Sequence, residues 1–381
     1  MKHFSRVTLA SGFLLASLAG NVGAATDWTI SDLGSAHNIM TMRMNDQGWV
    51  ILGPRVLSPT AGGYAVTEIL NAQGTSGNLD LYGINNSNTV IGVDQSSGLR
   101  HAFSWSAGHR TDLPEIANWN NYIASEARQV NAKGQIIGNT GDGAAIWTPD
   151  GSGGYAVVTL NKWSTGSAIN DLGMGLMSNL NSPTAIFQAG YSNGVTPTTF
   201  IPERDGFRPA GAAINDSFTV AGAAFYQAAG YSWNQVYVWQ GSTVTPLPVS
   251  ATAANWQMNV GAVGGINEAN TIVGTGSFGP YDERAMMWTP GALGWTEIDL
   301  NTLSYTGASF GKLTQARDIN ERGQILGAGD YFDSASGQWS QHVFLLTPVP
   351  EPASFAMLLA GLLGLAGLMR RHVARQHTVD A

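Results

Sequence analysis

One short pattern recurs down the middle of this chain, and its period constrains the fold more than any other feature. An apolar residue precedes an Asn; two or three turn residues, two or three β-formers and usually a Gly follow. Clear copies begin at Met44-Asn45, Ile84-Asn85, Val130-Asn131, Ile214-Asn215, Ile266-Asn267 and Ile319-Asn320. The asparagines are separated by 40, 46, 84, 52 and 53 residues, and 84 is two units. A further copy therefore lies between Asn131 and Asn215. Ile169-Asn170-Asp171-Leu172-Gly173 and Leu180-Asn181-Ser182, the latter with the run Ala185 to Gly190, compete for it, and the register stays open. Seven copies of roughly 45 residues have the length of propeller blades.

Each unit adds two more strand signals. One is aromatic, as in His101-Ala102-Phe103-Ser104-Trp105, Ala145-Ile146-Trp147 and Met286-Met287-Trp288. The other follows a Gly turn, as in Val157-Val158-Thr159-Leu160 and Trp295 to Leu300. With the strand leading into each Asn, this predicts four strands per unit, and no segment of the body has sustained helical periodicity. The body opens at Trp28 to Leu33 with a fourth-strand pattern and ends at His342 to Leu346 with a third. An N-terminal strand that completes the last blade would close the ring and hide its sheet edges. The expected fold is an all-β, seven-bladed β-propeller; an open β-solenoid is the alternative, and needs no such complementary phase.

Composition narrows the function classes. Apolar residues at 44% support a real core, and charged residues at 12% are about half the usual share. A net charge of −8 offers no basic stripe for phosphates, so nucleic acid is excluded as a partner. There are no cysteines, which removes thiolate zinc sites, iron–sulfur clusters and thiol nucleophiles.

The ends read as targeting sequence, with the propeller body over 26–348. Residues 1–25 form a secretory signal peptide: Lys2, His3 and Arg6 start it, Val7 to Ala19 are apolar, and signal peptidase would cut after Ala24 or Ala25. At 349–381, Pro350-Glu351-Pro352 precedes an apolar run, 355–369, and then Arg370-Arg371. Fifteen residues make a helix of roughly 22 Å, short against a hydrocarbon core of about 30 Å. The arginines would hold its far end in the cytoplasm and leave the body outside. These parts resemble the PEP-CTERM sorting signal of Gram-negative bacteria. The resemblance implies an exosortase-type sorting enzyme as partner, with delivery to the cell envelope or surface. The ten residues from His372 to Ala381 are longer than the usual end of that signal. A plain C-terminal anchor is the competing reading and predicts the same orientation.

The body also resembles the extracellular HAF-repeat family, named for its His-Ala-Phe tripeptide. His101-Ala102-Phe103 is a full match and His342-Val343-Phe344 is close. The other copies keep only the aromatic pattern. The resemblance implies fold and location rather than chemistry.

Catalytic motifs do not survive their context. Gly190-Tyr191-Ser192-Asn193-Gly194 and Gly307-Ala308-Ser309-Phe310-Gly311 fit G-x-S-x-G, but a nucleophile elbow needs a following helix. Gly274 to Gly279 fits G-x-G-x-x-G without the helix N-terminus that would hold a pyrophosphate. The body's histidines are His37, His101, His109 and His342; His101 and His342 sit at equivalent repeat positions, which favours structure over ligation. The repeated asparagines read as turn residues rather than ligands. The aromatics read as filling between blades, with a carbohydrate platform as the alternative for a few of the 12 tryptophans.

One constellation has chemistry to offer. Asp94, Asp142, Asp282, Glu283, Asp330 and Asp333 fall between second and third strands, whose loops emerge on one face. They are a candidate cation site, with calcium as the ion; ordinary solvated loops are the competing reading. No other cofactor is expected. The function that follows is a non-enzymatic binding or structural protein at the cell surface or in an exopolysaccharide matrix. Two alternatives remain open, a glycan-active hydrolase or lyase and a cation-responsive adhesion module.

Overall fold

The structure is a computed structural model, and it describes residues 28–35, 39–118, 124–162, 164–179, 182–188, 199–201, 208–228, 231–248, 259–260, 262–279 and 281–349. These lie within one compact unit, Trp28–Val349. Ala24, Ala25, Pro350, Glu351, Pro352, Arg370, Arg371, the apolar run 355–369 and His37 lie outside the described residues. Among the described residues, no helix is long and apolar enough to cross a membrane.

The repeats fold as seven sheets of at least four strands. Blade 1 comprises Arg43–Met44, Val50–Leu52, Arg55–Thr60 and Gly63–Glu68, and blade 2 comprises Leu79–Ile84, Val90–Asp94, His101–Ser106 and His109–Asp112. Blades 3, 4, 5 and 6 begin with Ser125–Val130, Thr165–Ile169, Arg208–Ile214 and Ala262–Ile266. All are antiparallel meanders, which the Gly, Asn and Asp turns between short β-branched and aromatic runs dictate. The fold is the predicted seven-bladed propeller.

Blade 7 shows how the ring closes. Phe310–Ile319, Ile325–Asp333 and Gln338–Pro348 come from the end of the body, and Trp28–Ser35 pairs with the last of them. Trp28 faces Pro348, Ile30 faces Leu346 and Asp32 faces Phe344 in antiparallel register. The Asp32 carboxylate meets His342 Nδ1 at 2.9 Å, tying first strand to last. Tyr305–Gly307 adds an outer, parallel strand to Trp28–Ile30, a pairing the repeat pattern does not foretell.

The core is divided among the blade interfaces. Seven buried clusters each join two neighbouring blades, including the seam between the last blade and the first. The third-strand aromatics fill these seams: Phe103, Trp147, Tyr237, Trp288 and Phe344 are fully buried. Trp147 and Trp288 donate their indole N–H to the carbonyls of Pro114 and Pro248, so a large apolar body is buried with its polar tip satisfied. The recurrent Gly lies beneath them. A methyl group at Gly138 would strike the Glu126 carbonyl, and one at Gly327 the Gln315 carbonyl and the Phe344 ring. Close approach of strand and aromatic, rather than a bend, accounts for this glycine.

Candidate functional site

The Asn turn generates the molecule's central architecture. In each blade the Asn side-chain oxygen folds back onto its own turn; Asn131 Oδ1 accepts the N–H groups of Lys133 and Gln135 at 3.1 and 2.9 Å. The residue three places on has positive φ in every blade: Gly48, Asn88, Gly134, Gly173, Phe218, Asn270 and Gly323. The asparagines are turn residues, as their spacing predicts.

They also join the blades. Asn45 Nδ2 donates to the Asn85 carbonyl at 3.0 Å, Asn85 to Asn131, Asn131 to Asn170, and Asn170 to Asn215. Asn215 donates to Asn267, Asn267 to Asn320, and Asn320 back to Asn45 at 3.2 Å. The circle is complete, and all seven asparagines are buried. It also settles the open register, because Asn170 is the fourth blade's member. Only a primary amide of this length serves both ends, with an oxygen for two turn N–H groups and an NH2 for the next blade. Aspartate has no donor.

A second circle is built by the residue after each Asn. Its backbone N–H is accepted by the corresponding side chain of the next blade: Asp46 N–H by Asn86 at 2.9 Å, Ala132 by Asp171, Asp171 by Asp216, Asp216 by Glu268, Glu268 by Glu321, and Glu321 by Asp46. The link from blade 2 to blade 3 is missing because Ala132 offers no acceptor. Five carboxylates thus crowd one mouth of the channel. Burial raises the Glu321 pKa, and the charges of Asp46, Glu268 and Asp216 add to it, while the Glu268 N–H opposes.

Further along the same strands, the channel wall is made by a repeated irregularity. In blades 2 to 7 the first strand bulges against the second, leaving one extra residue three places before the Asn. Those residues are Tyr82, Arg128, Ser167, Ala212, Gly264 and Arg317. In blade 1, Arg43 begins the strand at the neighbouring position. Going around the ring from blade 1, the cavity is lined at or beside this position by Arg43, Tyr82, Arg128, Ser167, Ala212 and Gly264. A cavity of about 200 Å³ is lined by the first strands and turns of all seven blades.

The charges on the wall are organised. The Arg128 guanidinium lies over the Tyr82 ring at 5.8 Å and pairs with Glu126 at 2.8 Å; Arg100 reaches the same carboxylate at 3.0 Å. Arg317 donates to the Gln315 side chain at 2.6 Å. Burial and the neighbouring Arg43 charge both push the Arg317 pKa down. Asp318 accepts the N–H groups of Met44 and Ile319 at 2.8 and 3.0 Å, clasping blade 7 to blade 1. Burial pushes its pKa up to about 6, against the pull of Arg43 and those two amides.

The six loop carboxylates singled out from sequence are spread over four blades. Asp94 accepts the N–H groups of Ala72 and Ser96 and pairs with Arg110 at 2.8 Å. Burial raises its pKa, but these bonds outweigh burial and hold it at about 2. Asp142 faces Lys162, and Asp282 is gripped by Arg284 and Lys312, which also bring it to about 2. Glu283 accepts from Gln315. Asp330 lies within the second strand of blade 7 opposite Gln341, and Asp333 caps the turn that follows. The chain's own cations already occupy three of the six. Among the described residues, no group of three or more metal-ligating side chains is assembled. His101 meets Glu115 at 3.0 Å, beside an outer hollow of about 410 Å³ in blade 2. The Gly307-to-Gly311 and Gly274-to-Gly279 motifs lie on strands and turns with no helix after them.

Reasoning from sequence missed the carboxylate ring and the channel arc. The first is visible as a column: the residue after each reference Asn is Asp, Asn, Ala, Asp, Asp, Glu, Glu. The second depends on bulges that no composition reveals.

Comparison with known proteins bears on the ends and the fold separately. Residues 348–375 match the PEP-CTERM protein-sorting motif, so the chain carries the sorting signal of an exported envelope protein. None of the curated proteins compared matches the sequence. Among solved structures, YCF48 bound to D1 peptide is similar with a TM-score of 0.50 and 11% identity, covering 85% of this chain and 96% of that one. A post-proline cleaving enzyme from Rickettsia typhi aligns with a TM-score of 0.41 and 10% identity, over 82% of this chain and 49% of the enzyme. Dipeptidyl peptidase 4 from Porphyromonas gingivalis gives 0.41 and 9%, over 75% and 50%. At these identities the likeness is one of fold alone.

Proposed function

We propose that this exported, sorted propeller is a non-enzymatic binding protein of the cell surface or exopolysaccharide matrix, and that its ligand enters the central channel. The observation that carries this reading is the uneven wall. Seven blades share one turn and one ring of hydrogen bonds, yet the cavity is lined by Arg43, Tyr82 and Arg128 from three blades and by Ser167, Ala212 and Gly264 from three others. A wall serving only to fill space has no need of guanidinium groups, which are costly to bring out of water. The mouth carboxylates, by contrast, are committed to neighbouring N–H groups, so they serve the ring before any reaction.

The rest of the assignment follows the two ends. Signal peptidase removes 1–25 after Ala24 or Ala25, and an exosortase-type enzyme reads Pro350-Glu351-Pro352, with 355–369 and Arg370-Arg371 holding the tail in the membrane meanwhile. The body, 26–348, is an HAF-repeat-type domain. Loose cation binding at Asp94, Asp142, Asp282, Glu283, Asp330 and Asp333 is a lesser role, and calcium would raise the melting temperature if it operates.

Asp318 supports a second reading, glycan hydrolysis, because a carboxyl group with raised pKa beside a cavity suits a general acid. Incubating the purified exported protein with the producing cell's exopolysaccharide separates the two. Co-sedimentation without new reducing ends is expected. Accumulation of reducing ends that Asp318→Asn abolishes would replace binding with catalysis.

A further inference from the structure

The tip of blade 7, at the end away from its Asn turn, carries an aromatic surface that the channel reading leaves unused. The second strands of blades 5 and 7 have nine residues, against three to six in the other five blades. On one face of the blade 7 hairpin, Leu326, Ala328, Val343 and Leu345 are buried against blade 1. Successive side chains point to opposite faces, so that face runs on through Asp330 and Phe332 on one strand and Gln341 and Trp339 on the other. Blade 1, with a second strand of three residues, leaves this end uncovered: Phe332 is 37% exposed and Trp339 59%. Among the described residues, Trp339 is the exposed tryptophan. Blade 5, with the other long hairpin, also sets an aromatic opposite a tryptophan, pairing Tyr226 with Trp233 in register.

The Trp339 ring is held in one place. Phe332 lies opposite it in register, with ring centroids 5.1 Å apart. The far edge of its six-membered ring reaches Gly311 on the first strand of the blade, so the indole crosses the middle strand. Strands lie about 4.8 Å apart, and a ring that spans two such steps lies along the sheet instead of standing up from it. Any side chain at position 311 would strike that edge. The glycine that ends the Gly307-to-Gly311 motif therefore makes room for an indole rather than for a nucleophile. Polar groups flank the rings on the same face. The Asp330 carboxylate and the Gln341 amide have no partner among the described residues, and Lys312, opposite Asp330 in register, is committed to Asp282 at 2.9 Å.

We infer that this surface binds a neutral hexose unit of a polysaccharide, stacked on Trp339 and hydrogen-bonded by Asp330 and Gln341. One face of a hexose ring presents C–H groups, which suit the negative face of an indole, and its rim presents hydroxyls, which suit a free carboxylate and amide. Asp330 and Asp333 give the tip a negative field that disfavours acidic sugars, phosphate backbones and anionic lipids. Two exposed rings are too small a patch for a stable protein partner, which needs roughly 800 Å² a side. Being a surface rather than a pocket, the site suits an internal unit of a chain. It goes beyond the channel reading and shares no residue with it, so either can fail alone.

Titration calorimetry of the purified exported protein with neutral gluco-, manno- and galacto-configured tetrasaccharides tests the inference, beside tetra-galacturonate, methyl glucoside and a proline-rich peptide. At least one neutral tetrasaccharide is expected to bind, with an affinity that salt does not change, and tetra-galacturonate at least about tenfold more weakly. Trp339→Ala should weaken that binding about tenfold or more, with circular dichroism showing the β-propeller intact. Gly311→Ala keeps the indole but displaces it, and should weaken binding about fivefold or more. Phe218→Asn, which removes an exposed aromatic elsewhere, should leave it unchanged. A tetrasaccharide that binds better than methyl glucoside identifies a chain as the occupant; equal affinity would replace the chain with the free sugar. Failure of all three neutral tetrasaccharides, or binding untouched by Trp339→Ala, would overturn the inference. Binding of the peptide in their place, lost in Trp339→Ala, would give the surface to an extended chain of protein instead.

Discussion

The same seven strands end in two very different rings. At the Asn turn every blade has the same residue, the same acceptance of the backbone N–H four places on and the same bond to the next blade. Three residues earlier, at the bulge of blades 2 to 7, two blades carry Arg and the other four carry Tyr, Ser, Ala and Gly. A position that must bond to its own copy in the neighbouring blade cannot vary freely, because a change in one blade breaks a buried bond to its neighbour and strands N–H groups of its own turn. A bulge residue need not bond to its own copy in the next blade, so it is free to differ. The contrast separates what holds this propeller together from what it can recognise.

The largest effect that could break this contrast is at the uniform ring. Asn131→Ala strands the Lys133 and Gln135 N–H groups and breaks the bond to the Asn170 carbonyl, which keeps only the Gly173 N–H. At roughly 1–3 kcal/mol for each of the two orphaned N–H groups, with the bond between blades lost as well, a loss of about 3 kcal/mol is expected in chemical denaturation. Arg128→Ala, at the varied position, should cost no more than about 1 kcal/mol, since its pairing with Glu126 is partly exposed. Equal losses at the two positions would erase the distinction.

The next effect concerns the seam between the last blade and the first. Asp318 binds its proton more tightly in the fold, where its pKa is about 6, than in the unfolded chain, near 3.8. The folded state therefore holds more protons between those values, and stability falls as pH rises through that window, by up to about 3 kcal/mol. Asp318→Asn should flatten that decline between pH 4 and pH 7. A stability that rises over the same range, with no change in the variant, would show that the clasp is not strained by its charge.

How much of this was legible follows from where each interaction sits along the chain. The turn at each Asn is local, and in six of the seven blades its Gly or Asn three residues on is written beside it. The closing strand was legible because Trp28 to Leu33 repeats the pattern of Trp295 to Leu300. The bonds from one Asn to the next cross 39 to 53 residues in sequence and 275 at the closure, and nothing local announces them. The same bonds decided the fourth register, which Asn170 and Asn181 left open as strings of letters. The channel arc was hidden for another reason. Which residue points inward depends on a bulge, such as that between Leu81 and Gly83, and a slip of one residue reverses the face.

Blade 5 offers a smaller test of uniformity. Phe218 occupies the left-handed position at φ 59, where the other blades have Gly or Asn, and its side chain is 42% exposed. An L-residue with a bulky side chain there costs roughly 1–2 kcal/mol, with little burial in return. Phe218→Asn should raise stability by about 1 kcal/mol, read as a shift in the denaturation midpoint. A loss instead would mean that the exposed ring is held by contacts worth more than its strain.

The smallest expected effect is also the most direct test of the second ring. Six of its seven links exist, and the seventh fails because residue 132 is alanine. Asn86 already shows that an amide can serve, since it accepts the Asp46 N–H. Ala132→Asn should supply an acceptor for the Asn86 N–H at an exposed site, a gain of about 0.5–1 kcal/mol. Ala132→Asp makes the same bond but adds a sixth carboxylate to a mouth where like charges already raise the Glu321 pKa. Its gain should be smaller at low salt and approach that of the asparagine as salt screens the mouth. If both variants leave stability unchanged at every salt concentration, the carboxylate ring contributes nothing to closure, and the five acids at that mouth must be explained by what they meet in the channel.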